Sequence, residues 1–218
     1  MSSVNRDVFS EIYRRGLWGR DPKNPSGFFS GDGSRAPEVV APYLRAMATF
    51  LAHFQLIEMR KPDMIDIGCG DFSVGSHLRP LCRSYLACDV VPELIESNQK
   101  RYSELKVDFR CLDAEHDWLP AGDIIVIRQV LQHLGNRQIE TIIRKVEERC
   151  SFLIVTEHLP LDADFTPNID LQTGGFRLLK GSGVVLTEPP FNLRPKMQTR
   201  LAAVQRGSGT ITTTLYRL

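Results

Sequence analysis

No two of the five cysteines (Cys69, Cys82, Cys88, Cys111 and Cys150) form a CxxC pair, and five is an odd number. That excludes a disulfide framework and a zinc ribbon, and it leaves the cysteines as small apolar residues in or beside hydrophobic runs. Charge of one sign is also lacking: 27 Lys and Arg stand against 26 Asp and Glu, a formal balance of +1. No basic field points to nucleic acid and no acidic field to a basic partner. Apolar stretches long enough to span a bilayer are absent from the sequence. The amino terminus, MSSVNRDVFSEIYRR, has no apolar signal-peptide core, so a reduced cytoplasmic protein is expected.

What is present is ordinary globular material, 42% hydrophobic and 24% charged over 218 residues, enough for a single domain with a sizeable core. Residues 5–15 and 36–54 carry helical periodicity, as in Val39, Val40, Tyr43, Leu44, Met47, Phe50 and Leu51. Between them lies a stretch rich in Gly, Pro, Ser and Asp, and residues 18–34 read as a lid that orders over a ligand. From residue 63, short apolar runs alternate with helices. Strands are expected at 64–67, 84–88, 107–112, 123–127 and 152–156, and helices near 73–79, 92–104 and 136–149. Pro92 suits a first helical turn, where its missing N–H costs nothing. Residues 158–198 are irregular, and the two β-rich runs around Gly207-Ser208-Gly209 predict a carboxyl-terminal antiparallel hairpin. The pattern implies an α/β fold, Rossmann-like, with a mostly parallel sheet covered by helices on both faces. One domain over 1–218 is expected, its first 58 residues forming amino-terminal helices and the lid, and 59–218 the core.

The stretch MIDIGCGDFS, residues 64–73, ends a strand in Gly68-Cys69-Gly70. Ligands of such sheets bind beyond the carboxyl ends of the strands, and glycine lets backbone approach them closely. Three acids reinforce the turn. Asp89 closes the second strand about twenty residues on, where it can accept from both ribose hydroxyls of a nucleotide-like ligand or cap the helix at Pro92. Asp113 closes the third, with the Ala114 N–H beside it. Asp66 sits inside the first strand, where a carboxylate needs partners. Ser73 occupies the place of the third glycine of a dinucleotide fingerprint, which disfavours NAD.

Taken together, the in-strand acid, the short GxG, the acid after the second strand and the terminal hairpin resemble the class I S-adenosylmethionine-dependent methyltransferases. The resemblance implies a seven-stranded sheet and S-adenosylmethionine as cofactor, with S-adenosylhomocysteine as product. It implies Asp66, Gly68, Cys69 and Gly70 beneath the methionine part, Asp89 on the ribose, Val90 packed on the adenine, Asp113 and Ala114 at the adenine edge, and Arg128 near the amino-acid end. A narrower likeness is to small bacterial methyltransferase-like proteins linked with polysaccharide or natural-product clusters. It rests on Tyr13, Trp18-Gly19, Gly31-Asp32-Gly33-Ser34, an HL after the fourth strand and Pro189 to Leu193 (PPFNL). Those relatives favour an acid after the arginine of that strand; here Gln129 leaves the position without an ionisable group.

The expected reaction is O-methylation of a sugar, glycan intermediate or small metabolite. Alternatives are N- or carboxyl-methylation, or a silent cofactor-binding subunit. A hydroxyl acceptor benefits from a general base. His133 is the first candidate, ahead of His158, its neighbour Glu157, and His116. Asp162, Asp164 and Asn168 offer oxygens at no recognised calcium spacing, so no metal is expected. The expected partner is a small-molecule or saccharide acceptor, with no nucleic acid and no transmembrane segment; a homodimer stays open.

Overall fold

The computed structural model describes residues 3–21 and 27–218. Besides short 3-10 turns, six α-helices and seven strands among the described residues follow in chain order: α1 (Val4–Arg15), α2 (Asp32–Arg35), α3 (Pro37–Glu58), β1 (Asp63–Ile67), α4 (Gly75–Leu78), β2 (Ser84–Asp89), α5 (Pro92–Arg101), β3 (Asp108–Cys111), β4 (Ile124–Arg128), α6 (Asn136–Glu147), β5 (Phe152–Pro160), β6 (Met197–Arg206) and β7 (Gly209–Arg217). The seven strands make one mixed sheet in the order β3-β2-β1-β4-β5-β7-β6. The expected α/β fold is the one observed. By compactness the chain divides into two units, Met1–Asp113 and Ala114–Leu218.

In the first unit, β2 pairs in parallel with both β1 and β3. The last four residues of β1 are all buried, including Asp66. Ser3 caps α1 by accepting the Arg6 N–H at 3.2 Å. The helix ends at Gly16, whose φ of 62° lets its own N–H return to the Tyr13 carbonyl and the Leu17 N–H to the Ile12 carbonyl. The helix expected at 73–79 is shorter, a single turn of α4 followed by a 3-10 turn at Arg79–Leu81 with Pro80 in its middle. Phe72 fills the space beneath it, edge-on to Tyr85, Tyr102 and Phe109 at 4.9–5.4 Å between ring centroids. Gly75 is required there, because a Cβ would stand 2.4 Å from the Phe72 ring.

In the second unit, β4 and β5 are parallel, while β7 runs antiparallel to β5 and β6. β5 runs four residues beyond the expected end because β7 pairs with it as far as Pro160 opposite Gly209. The hairpin turns at Gly207, φ 55°. α6 buries Ile139, Ile142, Ile143 and Val146, a helical stripe at three- and four-residue steps. Between β5 and β6 the chain is irregular apart from a 3-10 turn at Arg177–Lys180. Two buried polar side chains organise it. The Asn168 amide donates to the Val185 and Pro189 carbonyls and accepts the Val185 N–H, all at 2.9 Å. The Arg177 guanidinium, fully buried, donates to the carbonyls of Leu134 and Ile169 and to Asn136 Oδ1.

Candidate active site

The carboxyl ends of β1, β2 and β3 carry the first cluster, all within the first unit. Gly68 (φ 72°) and Gly70 (φ 55°) turn the chain sharply out of β1. The N–H groups of Gly68 and Cys69 both donate to the Cys88 carbonyl, at 2.8 and 2.9 Å, which ties the turn to the end of β2. Asp89 completes the tie: one carboxylate oxygen accepts the Gly70 N–H at 3.1 Å and the other the Val91 N–H at 3.2 Å. Its alternative role as a helix cap takes the form of this short loop to Val91, and the start of α5 has no side-chain cap. On the other side, Asn98 of α5 donates to the Gly70 carbonyl at 2.7 Å. Burial pushes Asp89 up to about 6, held from going higher by the amides of Gly70, Val91 and Val90. A carboxylate has about four lone-pair sites, so two N–H bonds leave it able to accept more.

The other expected residues lie as follows. Asp66 is buried and accepts the Tyr85 hydroxyl at 2.9 Å, a partner outside the loop. Val90 is half-buried beside Asp89, its carbonyl facing the Cys111 thiol. Leu112 donates to the Asp89 carbonyl at 2.9 Å, which brings Asp113 close behind β2. The buried Asp113 carboxylate accepts from Asn5 of α1 at 3.1 and 3.3 Å. In the second unit, Ala114 is buried with its carbonyl held by Lys145, and Arg128 ends β4 opposite Thr156.

Several residues not singled out in the sequence belong to this cluster. Asp71, directly after the glycine turn, accepts the Ser30 N–H and the Ser73 N–H, both at 3.1 Å, and its own N–H donates to Ser30 Oγ at 2.9 Å. Ser30 in turn lies 3.0 Å from the Tyr13 hydroxyl. A Cβ at Gly70 would stand 2.4 Å from Ser30 Oγ, so the glycine is needed for this packing. Tyr13 also meets Trp18 and Phe28 edge-on, and burial together with nearby Asp89 pushes its phenol upward. The amino-terminal element quoted for the narrower resemblance therefore seats on the glycine turn. Of the expected lid, residues 22–26 lie outside the described residues. Asn5 and Asn98 left only a weak signal, a polar residue at an apolar helical position.

A second cluster lies in the second unit around the 3-10 turn Leu131–His133, just after β4. His133 Nδ1 is 2.7 Å from the Gly175 carbonyl, which can only accept, so Nδ1 carries the proton. Its Nε2 lies 3.2 Å from Gln132 Nε2. The Gln132 amide is fixed the same way, since its Oε1 accepts the His158 N–H at 3.2 Å. His133 Nε2 is therefore the basic nitrogen, and burial lowers the ring's pKa against the opposing pull of the Gly175 carbonyl. The ring stacks on Phe176 at 5.5 Å between centroids. His158 turns away, its Nε2 3.1 Å from the Arg206 carbonyl. Asn168 spends its amide on backbone groups, as described above, and Asp162 accepts the Asp164 N–H at 2.9 Å.

Residues 65–151 match a family model described as a methyltransferase domain. The match begins in β1 and runs through the glycine turn, Asp89, Asp113 and His133. No curated protein matches the chain. Among solved structures, the N-methyltransferase NodS from Bradyrhizobium japonicum WM9, in complex with S-adenosyl-L-homocysteine, is 16% identical with a TM-score of 0.62, over 97% of this chain and 99% of that one. Magnesium protoporphyrin IX methyltransferase (ChlM) from Synechocystis PCC 6803, with bound SAM, is 12% identical with a TM-score of 0.59, over 99% and 98%. The plantazolicin methyltransferase BpumL is 19% identical with a TM-score of 0.49, and this chain spans 57% of its length. At these identities the likeness to NodS and ChlM is one of fold. No helix among the described residues is long and apolar enough to cross a membrane.

Proposed function

We propose that the chain is an S-adenosylmethionine-dependent methyltransferase acting on a small molecule. The observation that carries the reading is the Asp89 carboxylate, buried at the end of β2 and hydrogen-bonded to the Gly70 N–H, inside the segment that matches a methyltransferase domain. The residues fit the cofactor. Two positive-φ glycines give close backbone approach, and buried acids at the ends of β2 and β3 offer acceptors for hydroxyl and amino groups. Asp89 would hold the ribose, Asp113 and Ala114 the adenine edge with Val90 against the ring, and Asp66, Gly68, Cys69, Gly70 and Arg128 the methionine portion. When bound, S-adenosylmethionine supplies a methyl group already activated on a sulfonium and leaves as S-adenosylhomocysteine.

For the acceptor, the proposal is a hydroxyl of a sugar intermediate or small metabolite. His133 supports it: the ring is held neutral by burial, its Nδ1–H is committed to Gly175, and Nε2 is the atom that takes the proton. The irregular segment after β5, ordered by Asn168 and Arg177, would select the acceptor.

Two measurements test this. Calorimetry with S-adenosylhomocysteine should show binding to the wild type, at least about tenfold weaker in Asp89→Ala because charge-assisted ribose bonds are lost. Equal affinity in the two proteins removes the ribose assignment. His133→Asn keeps a donor toward the Gly175 carbonyl and removes the base. It should lower turnover of a hydroxyl acceptor by about 10²-fold while cofactor affinity stays within a few-fold. Unchanged turnover of that acceptor would remove His133 as the base and leave Glu157, His158 or solvent to take the proton.

A further inference from the structure

A cleft of about 380 Å³ opens on the face of β5, β7 and β6. All its lining residues belong to the second unit, and His133 is not among them. The floor is aliphatic, from Val155, Leu159, Val184 and Val185. Glu157 lies among them, 3% exposed, and neither of its carboxylate oxygens has a hydrogen-bond partner among the described residues. Arg177 and the amides of Leu131 and Gln132 act on it electrostatically without reaching hydrogen-bond geometry. A buried carboxyl left without donors is costly, and internal packing alone gives no reason to keep one on the wall of an open cleft.

The opposite end of the cleft carries the one cation in its lining, Arg200, on the exposed edge of β6. Sheet register fixes the relation of the two. Glu157 is the partner of Thr212 on β7, and Arg200 is the partner of Thr214. Thr212 and Thr214, two apart on a strand, face the same side, and both line the cleft. Acid and base thus sit diagonally across a hydroxyl-lined, apolar-floored trough, the acid deep and the base at the rim. The volume falls at the lower end of the range for small-molecule pockets.

We propose that this cleft binds a small zwitterion, with an ammonium group on Glu157, an apolar stem on the valines and leucine, and a carboxylate on Arg200. An ammonium donates three N–H bonds, which supplies what the two Glu157 oxygens lack. A neutral ligand would leave Arg200 unused, and a simple anion brings no N–H donor for the acceptor sites of the Glu157 oxygens. Burial holds Glu157 up at about 8, so in the empty cleft it is largely protonated at neutral pH. Binding an ammonium therefore expels that proton. Besides Glu157, the charged or titratable groups acting at the cleft are Arg177, Arg200 and Tyr216.

The test uses the full chain without S-adenosylhomocysteine, so its outcome is independent of the methyltransferase reading. Glycine, β-alanine, 4-aminobutyrate and 6-aminohexanoate are titrated by calorimetry and ligand-observed NMR, with butylamine and butyrate as controls. At least one aminocarboxylate is expected to bind more tightly than either control. Titrations at pH 7 in two buffers of different ionisation enthalpy should show proton release. Glu157→Gln should weaken binding at least tenfold and abolish the proton release, and Arg200→Gln, on an exposed strand, should weaken it several-fold. Failure of all four aminocarboxylates to bind overturns the proposal. So does equal affinity in wild type and Arg200→Gln, which decides the matter even if Glu157→Gln does not fold.

Discussion

Asp89 and Glu157 are both buried acids on strands of the same sheet, and they are served in opposite ways. Asp89, 8% exposed, receives one backbone N–H on each oxygen. Glu157, 3% exposed, receives none at hydrogen-bond geometry. Desolvation raises both, yet Asp89 stops near 6 and Glu157 climbs to about 8. At neutral pH the first is a carboxylate and the second mostly an acid. The difference teaches that depth alone does not set the charge of a buried group; the donors around it do. In the first unit the backbone bends to bring amides to the acid. In the second, the nearby cation, Arg177, is spent on carbonyls instead.

The strongest way to break this contrast is to remove that cation. Arg177→Leu strands the carbonyls of Leu134 and Ile169 and the side chain of Asn136. It should cost about 3–5 kcal/mol in denaturant unfolding. Hydrogen exchange should quicken across residues 161–196 while the amides of β1 and β2 keep their protection. Uniform loss across the whole chain would mean that Arg177 supports more than the irregular segment.

A smaller effect sharpens the contrast. Glu157 has a pKa raised on folding from 4.5 to about 8. Its contribution to stability is therefore whole below pH 4.5 and lost as pH rises through about 8. Glu157→Gln should match the wild type at pH 4.5 and exceed it above pH 8, by about 1–3 kcal/mol once relaxation around the charge is allowed for. The corresponding window for Asp89 runs only from 3.8 to about 6, so Asp89→Asn should show no further pH-dependent change above pH 7. Parallel stability curves for wild type and Glu157→Gln from pH 5 to 9 would show that Glu157 reaches solvent or a donor.

Much of this was legible in the residue order. The alternation of apolar runs and helices, with glycines at the end of the first strand, located β1, β2, β4 and the hairpin within a residue or two, since each depends on local pattern. The extension of β5 to Pro160 was not legible, because it depends on pairing with β7 some fifty residues away. Asp89 could be singled out from its spacing to the glycines. Asp71 could not, because its role appears only when Ser30, forty-one residues earlier, folds onto it. Likewise Asn168 reads in sequence only as an oxygen at no recognised calcium spacing, and the folded loop turns its amide inward onto Val185 and Pro189. Long-range polar pairing leaves no periodic trace.

The bond between Asn5 and Asp113 joins positions 108 apart. In synthesis α1 precedes its buried partner by three strands, β1, β2 and β3. Until then the helix has a cap but no anchor. At about 5–20 residues per second that wait lasts roughly 5–20 seconds, an interval in which the helix that carries Phe9 and Ile12 lacks its Asp113 partner. The residue that closes the first unit is thus also the one that ends its nascent period.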